Sequence, residues 1–119
     1  MKIFIVEDEE LAVKKLKKTL QTVDESAEVV GEADSIRSSV NWLENNPDPD
    51  LILMDIELAD GQSFEIFNQT QVKSPVIFIT SYDEYALKAF KVNSVDYLLK
   101  PVQTEEMQAA LAKYKKMAG

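Results

Sequence analysis

Short apolar runs alternate along this chain with segments whose hydrophobic residues recur at helical spacing. Lys2 to Val6, Leu51 to Met54, Pro75 to Ile79 and Val95 to Leu99 carry mostly aliphatic or aromatic side chains in succession, as strands covered on both faces require. Glu28 to Asp34 alternates more loosely and reads as an edge-like strand. Between the runs, Ala12, Val13, Leu16 and Leu20 share one helical face, with Lys14, Lys15, Lys17 and Lys18 opposite. Ser35 opens a second helix with Ile36, Val40 and Leu43 inward and Trp42 as partly buried packing, and Asn45 to Pro49 ends it with turn chemistry. Phe64, Ile66 and Phe67 mark a short helix. Asp83 is placed to cap a helix from Glu84 to about Lys91, with Ala86, Ala89 and Phe90 on one side. The last helix, from near Thr104, carries Met107, Ala110, Leu111 and Tyr114 at the most regular helical spacing in the chain.

Five strands alternating with five helices predict a parallel sheet with right-handed crossovers and helices on both faces. The 119 residues suffice for one domain and leave no room for a second.

Composition narrows the chemistry. Cysteine and histidine are both absent, which excludes disulfides, thiol catalysis, imidazole bases and the usual zinc sites. A net charge of -8 argues against nucleic acid or an anionic membrane as this segment's own partner and favours a basic partner or a cation. No apolar run reaches the roughly 20 residues of a membrane span, no signal-peptide pattern opens the chain, and a cytoplasmic location is expected.

What remains is a set of carboxylates, hydroxyls and lysines at strand ends. Glu7 and Asp8 follow the first strand, Asp55 the third, Thr80 the fourth and Lys100 the fifth, and in a parallel sheet these ends converge. Gathering three carboxylates costs on the order of several kcal/mol per like-charged pair at moderate dielectric, so compensation is required. Lys100 offsets one charge, and a raised carboxylate pKa removes another. An oxygen-rich pocket without His or Cys also suits a hard cation, Mg²⁺ best of all. With Mg²⁺ bound, Asp55 is placed to attack a phosphoryl group, Lys100 to stabilise its equatorial charge and Thr80 to hydrogen-bond another of its oxygens. No strong base for activating water stands in this set, so a long-lived acyl phosphate is expected.

These residues together resemble the receiver domain of bacterial two-component response regulators, over essentially the whole chain, 1–119. The resemblance implies a flavodoxin-like doubly wound five-stranded parallel sheet of order 2-1-3-4-5. It makes Asp55 the phosphoacceptor, with Asp8 a direct Mg²⁺ ligand, Glu7 a ligand through water and the Glu57 backbone carbonyl completing the metal shell. Thr80 and Tyr97 become the switch pair, and Lys100-Pro101 the family's lysine and typically cis proline. Glu57 and Tyr82 fall at the positions that tune phosphate lifetime, with Tyr82 expected to shield the acyl phosphate. The segment Tyr82 to Phe90 with Val95 to Pro101 resembles receivers that precede a LytTR-type DNA-binding domain, which would lie beyond Gly119. Implied partners are a sensor histidine kinase, a second copy through the helix 4, strand 5 and helix 5 face, and DNA through the output domain alone. The chain departs from the family between Asp55 and Gly61, where the loop is about two residues short and Ala59 stands in place of a proline.

Such a domain is a switch that catalyses only its own phosphorylation and dephosphorylation. A haloacid-dehalogenase-like phosphotransferase is a rival, also Mg²⁺-dependent with an aspartate nucleophile, and Glu57 in its acid position. It places the nucleophile after its first catalytic strand, however, with aspartate two residues on, whereas Asp55 follows the third strand and Glu57 takes that place. A phosphorylation-independent pseudo-receiver is the other alternative.

Overall fold

The computed structural model describes residues 1–118, so the expectation of an output domain beyond Gly119 lies outside the described residues. Five strands form one parallel sheet: β1 (Lys2–Val6), β2 (Glu28–Ala33), β3 (Leu51–Met54), β6 (Val76–Thr80) and β7 (Ser94–Leu99). Their order is β2-β1-β3-β6-β7, which among these five is the expected 2-1-3-4-5. The loosely alternating strand is indeed at an edge, and the uninterrupted aliphatic runs of β1, β3 and β6 occupy the centre.

Successive side chains of a strand face opposite ways, and this splits the interior in two. Ile3, Ile5, Leu51, Leu53, Ile77 and Ile79 pack under α1 (Glu10–Val23) and α5 (Thr104–Ala118). Phe4, Val6, Ile52, Met54, Val76 and Phe78 face α2 (Ile36–Asn45), α3 (Ile66–Gln69) and α4 (Ala86–Phe90). Ser35 caps α2 in a reciprocal capping box with Ser38. None of the helices among the described residues is long and apolar enough to cross a membrane.

Trp42 lies half-buried on α2 and stacks on Phe4, ring centroids 4.1 Å apart, directly over Gly31. A methyl group at Gly31 would collide with that indole. Gly31→Ala is therefore expected to destabilise the domain by about 1 to 3 kcal/mol, the usual cost of overpacking. Urea denaturation checks this, and Trp42 fluorescence should shift with it.

The shortened segment after Asp55 is a tight antiparallel hairpin, β4 (Glu57–Leu58) and β5 (Gly61–Gln62), turning at Ala59-Asp60. Gly61 at φ 136° supplies backbone geometry that other residues rarely adopt, which explains how the shortened segment closes.

The helix expected from Glu84 begins only at Ala86, and Asp83 does not cap it. Tyr85 occupies the N-cap without a side-chain bond to the helix. Contacts from elsewhere hold the preceding turn: the Tyr97 hydroxyl donates to the Tyr82 carbonyl, and the Tyr85 side chain is engaged by Glu57. Of α4 only Ala89 is buried; Phe90, expected inward, and Leu87 are each 83% exposed.

Candidate functional site

The sheet's first crossover runs from β1 outward to β2 and its next returns past β1 to β3, so a crevice opens above the C-terminal ends of β1 and β3. Ladder hydrogen bonds continue one residue past each strand. Asp55 N–H donates to the Val6 carbonyl at 2.9 Å, Glu7 N–H to Ala33 at 2.9 Å and Lys100 N–H to Thr80 at 2.8 Å. The backbones of the functional residues are thus held by the sheet itself.

Glu7, Asp8 and Asp55 each bring one carboxylate oxygen to within 4.8 Å of the others. Glu7 and Asp55 are buried, Asp8 is exposed, and Thr80 has no exposed surface. Lys100 reaches in from the end of β7, and its Nζ donates to Glu7 Oε1 at 2.6 Å and Asp55 Oδ2 at 2.8 Å. Burial pushes the Glu7 carboxyl up to about 7; the hydrogen bond from Lys100 opposes this and the charge of Asp55 adds to it. For Lys100, burial disfavours the charge, but the hydrogen bonds to Asp55 and Glu7 outweigh it and hold the ammonium above its ordinary range.

Asp55 Oδ1 also accepts from the Ile56 N–H at 2.7 Å, which orients the carboxylate. The Lys100-Pro101 peptide is cis. The donor set consists of carboxylate oxygens alone, one of them open to solvent and two beside an ammonium, and this chemistry fits a small hard cation such as Mg²⁺. Of the acidic pair, Glu7 is the buried member, with its carboxylate on Lys100, and Asp8 is the exposed one.

Tyr97 is half-buried, its ring 6.4 Å from Phe78 and its hydroxyl on the Tyr82 carbonyl. Tyr82 is 44% exposed and edge-on to Tyr85, 6.0 Å away. The Tyr82 N–H points at Thr80 Oγ1, 3.4 Å distant, so this turn, Thr80 and Tyr97 are joined.

Three participants had no signal in the chain pattern. Tyr85 and Gln62 both engage the Glu57 side chain, and Tyr85 lies 28 residues from it. Asp60 accepts from the Ile36 N–H at 2.8 Å and the Arg37 N–H at 3.2 Å, so the hairpin after Asp55 caps the start of α2. These bonds hold the Asp60 carboxyl below the usual carboxylate range. Asp60→Ala should cost about 1 kcal/mol, a typical capping loss, and in hydrogen exchange the first turn of α2 should open sooner.

The doubly wound sheet with a carboxylate pocket at its C-terminal edge defines a flavodoxin-like α/β domain. Residues 3–112 match the family described as "Response regulator receiver domain", and the chain belongs to that family. It is 42% identical over 119 residues to the sensory transduction protein LytT of Bacillus anthracis, covering 98% of this chain and 48% of that protein. To the sensory transduction protein LytR of Streptococcus mutans it is 40% identical over 121 residues, covering 98% of this chain and 49% of that one. The chain thus spans about half the length of the curated relatives it matches. Among solved structures, the response regulatory domain of protein mrkE from Klebsiella pneumoniae superposes with a TM-score of 0.86 at 32% identity, over 98% of this chain and 97% of that one. As a receiver domain of a response regulator, the chain is a two-component signalling switch.

Proposed function

We propose that Asp55 accepts a phosphoryl group from a phosphohistidine on a sensor kinase, with Mg²⁺ held by Asp8, Asp55 and the Glu57 backbone carbonyl, and by Glu7 through water. The observation that carries this reading is the Lys100 ammonium bridging Glu7 and Asp55 at the edge of a three-carboxylate pocket. When bound, Mg²⁺ supplies positive charge opposite the transferring phosphoryl oxygens.

The chain's own residues do the rest. The Asp55 carboxylate attacks phosphorus, and Lys100 stays within reach of the charge that develops on its oxygens. The Thr80 hydroxyl, buried at the end of β6, turns toward the phosphoryl group. The turn at Tyr82 is linked to both Thr80 and Tyr97, so a moving Thr80 releases Tyr97 inward and alters the α4, β7 and α5 face. Leu87 and Phe90, both 83% exposed, and Leu99, 43% exposed, give that face an apolar surface suited to a second copy. Tyr82 shields the acyl phosphate. In the full-length protein the switch controls a LytTR-type DNA-binding domain, which fits both the acidic charge of this segment and the share of its relatives that it spans.

The test is incubation with Mg²⁺ and acetyl phosphate, followed by intact mass and borohydride mapping of the modified residue. One phosphoryl group is expected, on Asp55 and only with the metal. No uptake, or uptake elsewhere, overturns the reading, and steady turnover of a phosphomonoester would favour the phosphotransferase instead.

A further inference from the structure

The Glu57 carboxylate stands two residues beyond Asp55 but does not join the acidic cluster of Glu7, Asp8 and Asp55. Two side chains hold it. Tyr85 Oη donates to Glu57 Oε1 at 2.6 Å, and Gln62 Nε2 lies 3.1 Å from Tyr85 Oη and 3.4 Å from the same Glu57 oxygen. The short bond from Tyr85 pushes its phenol up to about 12, so it stays a donor at any physiological pH. The Tyr85 ring is itself fixed, 6.2 Å from Phe64 and 6.0 Å from Tyr82, both edge-on. Tyr85 is also the N-cap residue of α4, so one hydroxyl ties the hairpin after the nucleophile to the start of that helix.

We infer that Tyr85 is a positioning residue that sets the lifetime of the acyl phosphate by withholding the Glu57 carboxylate from water near Asp55. The inference rests on the phosphoacceptor reading above. Hydrolysis forms a bond from water oxygen to phosphorus and breaks the bond from phosphorus to the Asp55 carboxylate. The water proton goes to a base, and inorganic phosphate departs. Glu57 follows Asp55 by two residues and lies outside the metal cluster, and a carboxylate free to orient toward such a water accelerates the step. With one oxygen committed to Tyr85 and Gln62, it is directed along the hairpin instead.

The experiment loads the whole chain with acetyl phosphate and Mg²⁺, removes the donor and follows decay of the phosphorylated species by intact mass. Tyr85→Phe keeps the ring against Phe64 and removes only the hydroxyl. Its phosphoryl group should decay roughly ten-fold faster, less than the hundred-fold or more of full general-base catalysis because Gln62 still engages Glu57. Adding Glu57→Gln to Tyr85→Phe should return the rate toward that of the wild-type chain, which a purely structural role for the hydroxyl would not do. Gln62→Leu removes the second donor without touching α4 and should change the rate in the same direction as Tyr85→Phe, providing an independent variant should that one fold poorly. Decay of Tyr85→Phe at the wild-type rate overturns the inference while leaving the phosphoacceptor reading intact. Equal acceleration in Tyr85→Phe and the double variant also overturns it, since loosening of α4 would then suffice. No uptake by the wild-type chain overturns the phosphoacceptor reading, and this inference falls with it.

Discussion

Lys100→Ala is expected to reduce phosphoryl uptake at Asp55 by about a hundred-fold or more, the range found when one preorganised charge is removed from a transition state. It should also lower the stability of the metal-free domain at pH 8. Lys100 is the cation within hydrogen-bond reach of both Glu7 and Asp55, and without it two buried carboxylates face each other uncompensated. Breaking a buried pair typically costs about 3 to 5 kcal/mol. The Lys100 side chain is 20% exposed and Glu7 takes up a proton readily, so about 2 to 3 kcal/mol is the better expectation here. Mg²⁺ should recover much of that stability but not the rate, because the cation neutralises the carboxylates without replacing the ammonium beside the transferring group. Urea denaturation with EDTA and with Mg²⁺, alongside the acetyl phosphate assay, separates the two effects. If uptake survives, Lys100 has no part in the chemistry.

A second large effect is expected from pH. The Glu7 carboxyl titrates near 7 in the fold against an ordinary 4.5, so between these values the folded chain holds a proton that the unfolded chain has shed. Stability contributed by this group is therefore complete below about pH 4.5 and declines as pH rises through 7. A shift of this size corresponds to at most about 3 kcal/mol, fully lost by pH 8. Glu7→Gln removes the ionisable group and should flatten that part of the profile. Mg²⁺ prefers the ionised carboxylate, so the stabilisation it gives should grow over the same window in the wild-type chain. Urea midpoints from pH 5 to 8, with EDTA and with Mg²⁺, read both slopes. Parallel profiles for the wild-type chain and Glu7→Gln would assign the pH dependence to another group.

The strands were legible because their signal is local, whereas their order came with the family resemblance. Ile3 to Val6, Leu51 to Met54 and Val76 to Ile79 have almost no exposed surface, and unbroken aliphatic runs bounded by turn residues have few other uses. The principal site residues were legible for a related reason: each directly follows or ends a strand, so the topology that orders the strands also brings Glu7, Asp55, Thr80 and Lys100 together. What stayed hidden depends on pairs far apart in sequence. The bond between Lys100 and Glu7 spans 93 residues, and nothing near Glu7 marks it as the more buried acid. Two-residue strands carry no periodicity, so the hairpin from Glu57 to Gln62 read as a shortened loop. The late start of α4 depends on Tyr85 and Tyr97 side chains reaching across to other elements, which helical spacing between Glu84 and Lys91 cannot register.

The sealed central strands restrict how this domain can carry a signal. β1 and β3 beyond Lys2 expose nothing on either side, and close-packed interiors of that kind resist small adjustments. They form a rigid floor beneath the carboxylates. A change in charge at Asp55 is therefore expected to act on the rim, where two of the handles are the hairpin that grips α2 by Asp60 and the turn from Ser81 to Tyr85 that precedes α4. These two handles pull on neighbouring parts of the same flank, the side of the sheet away from α1 and α5.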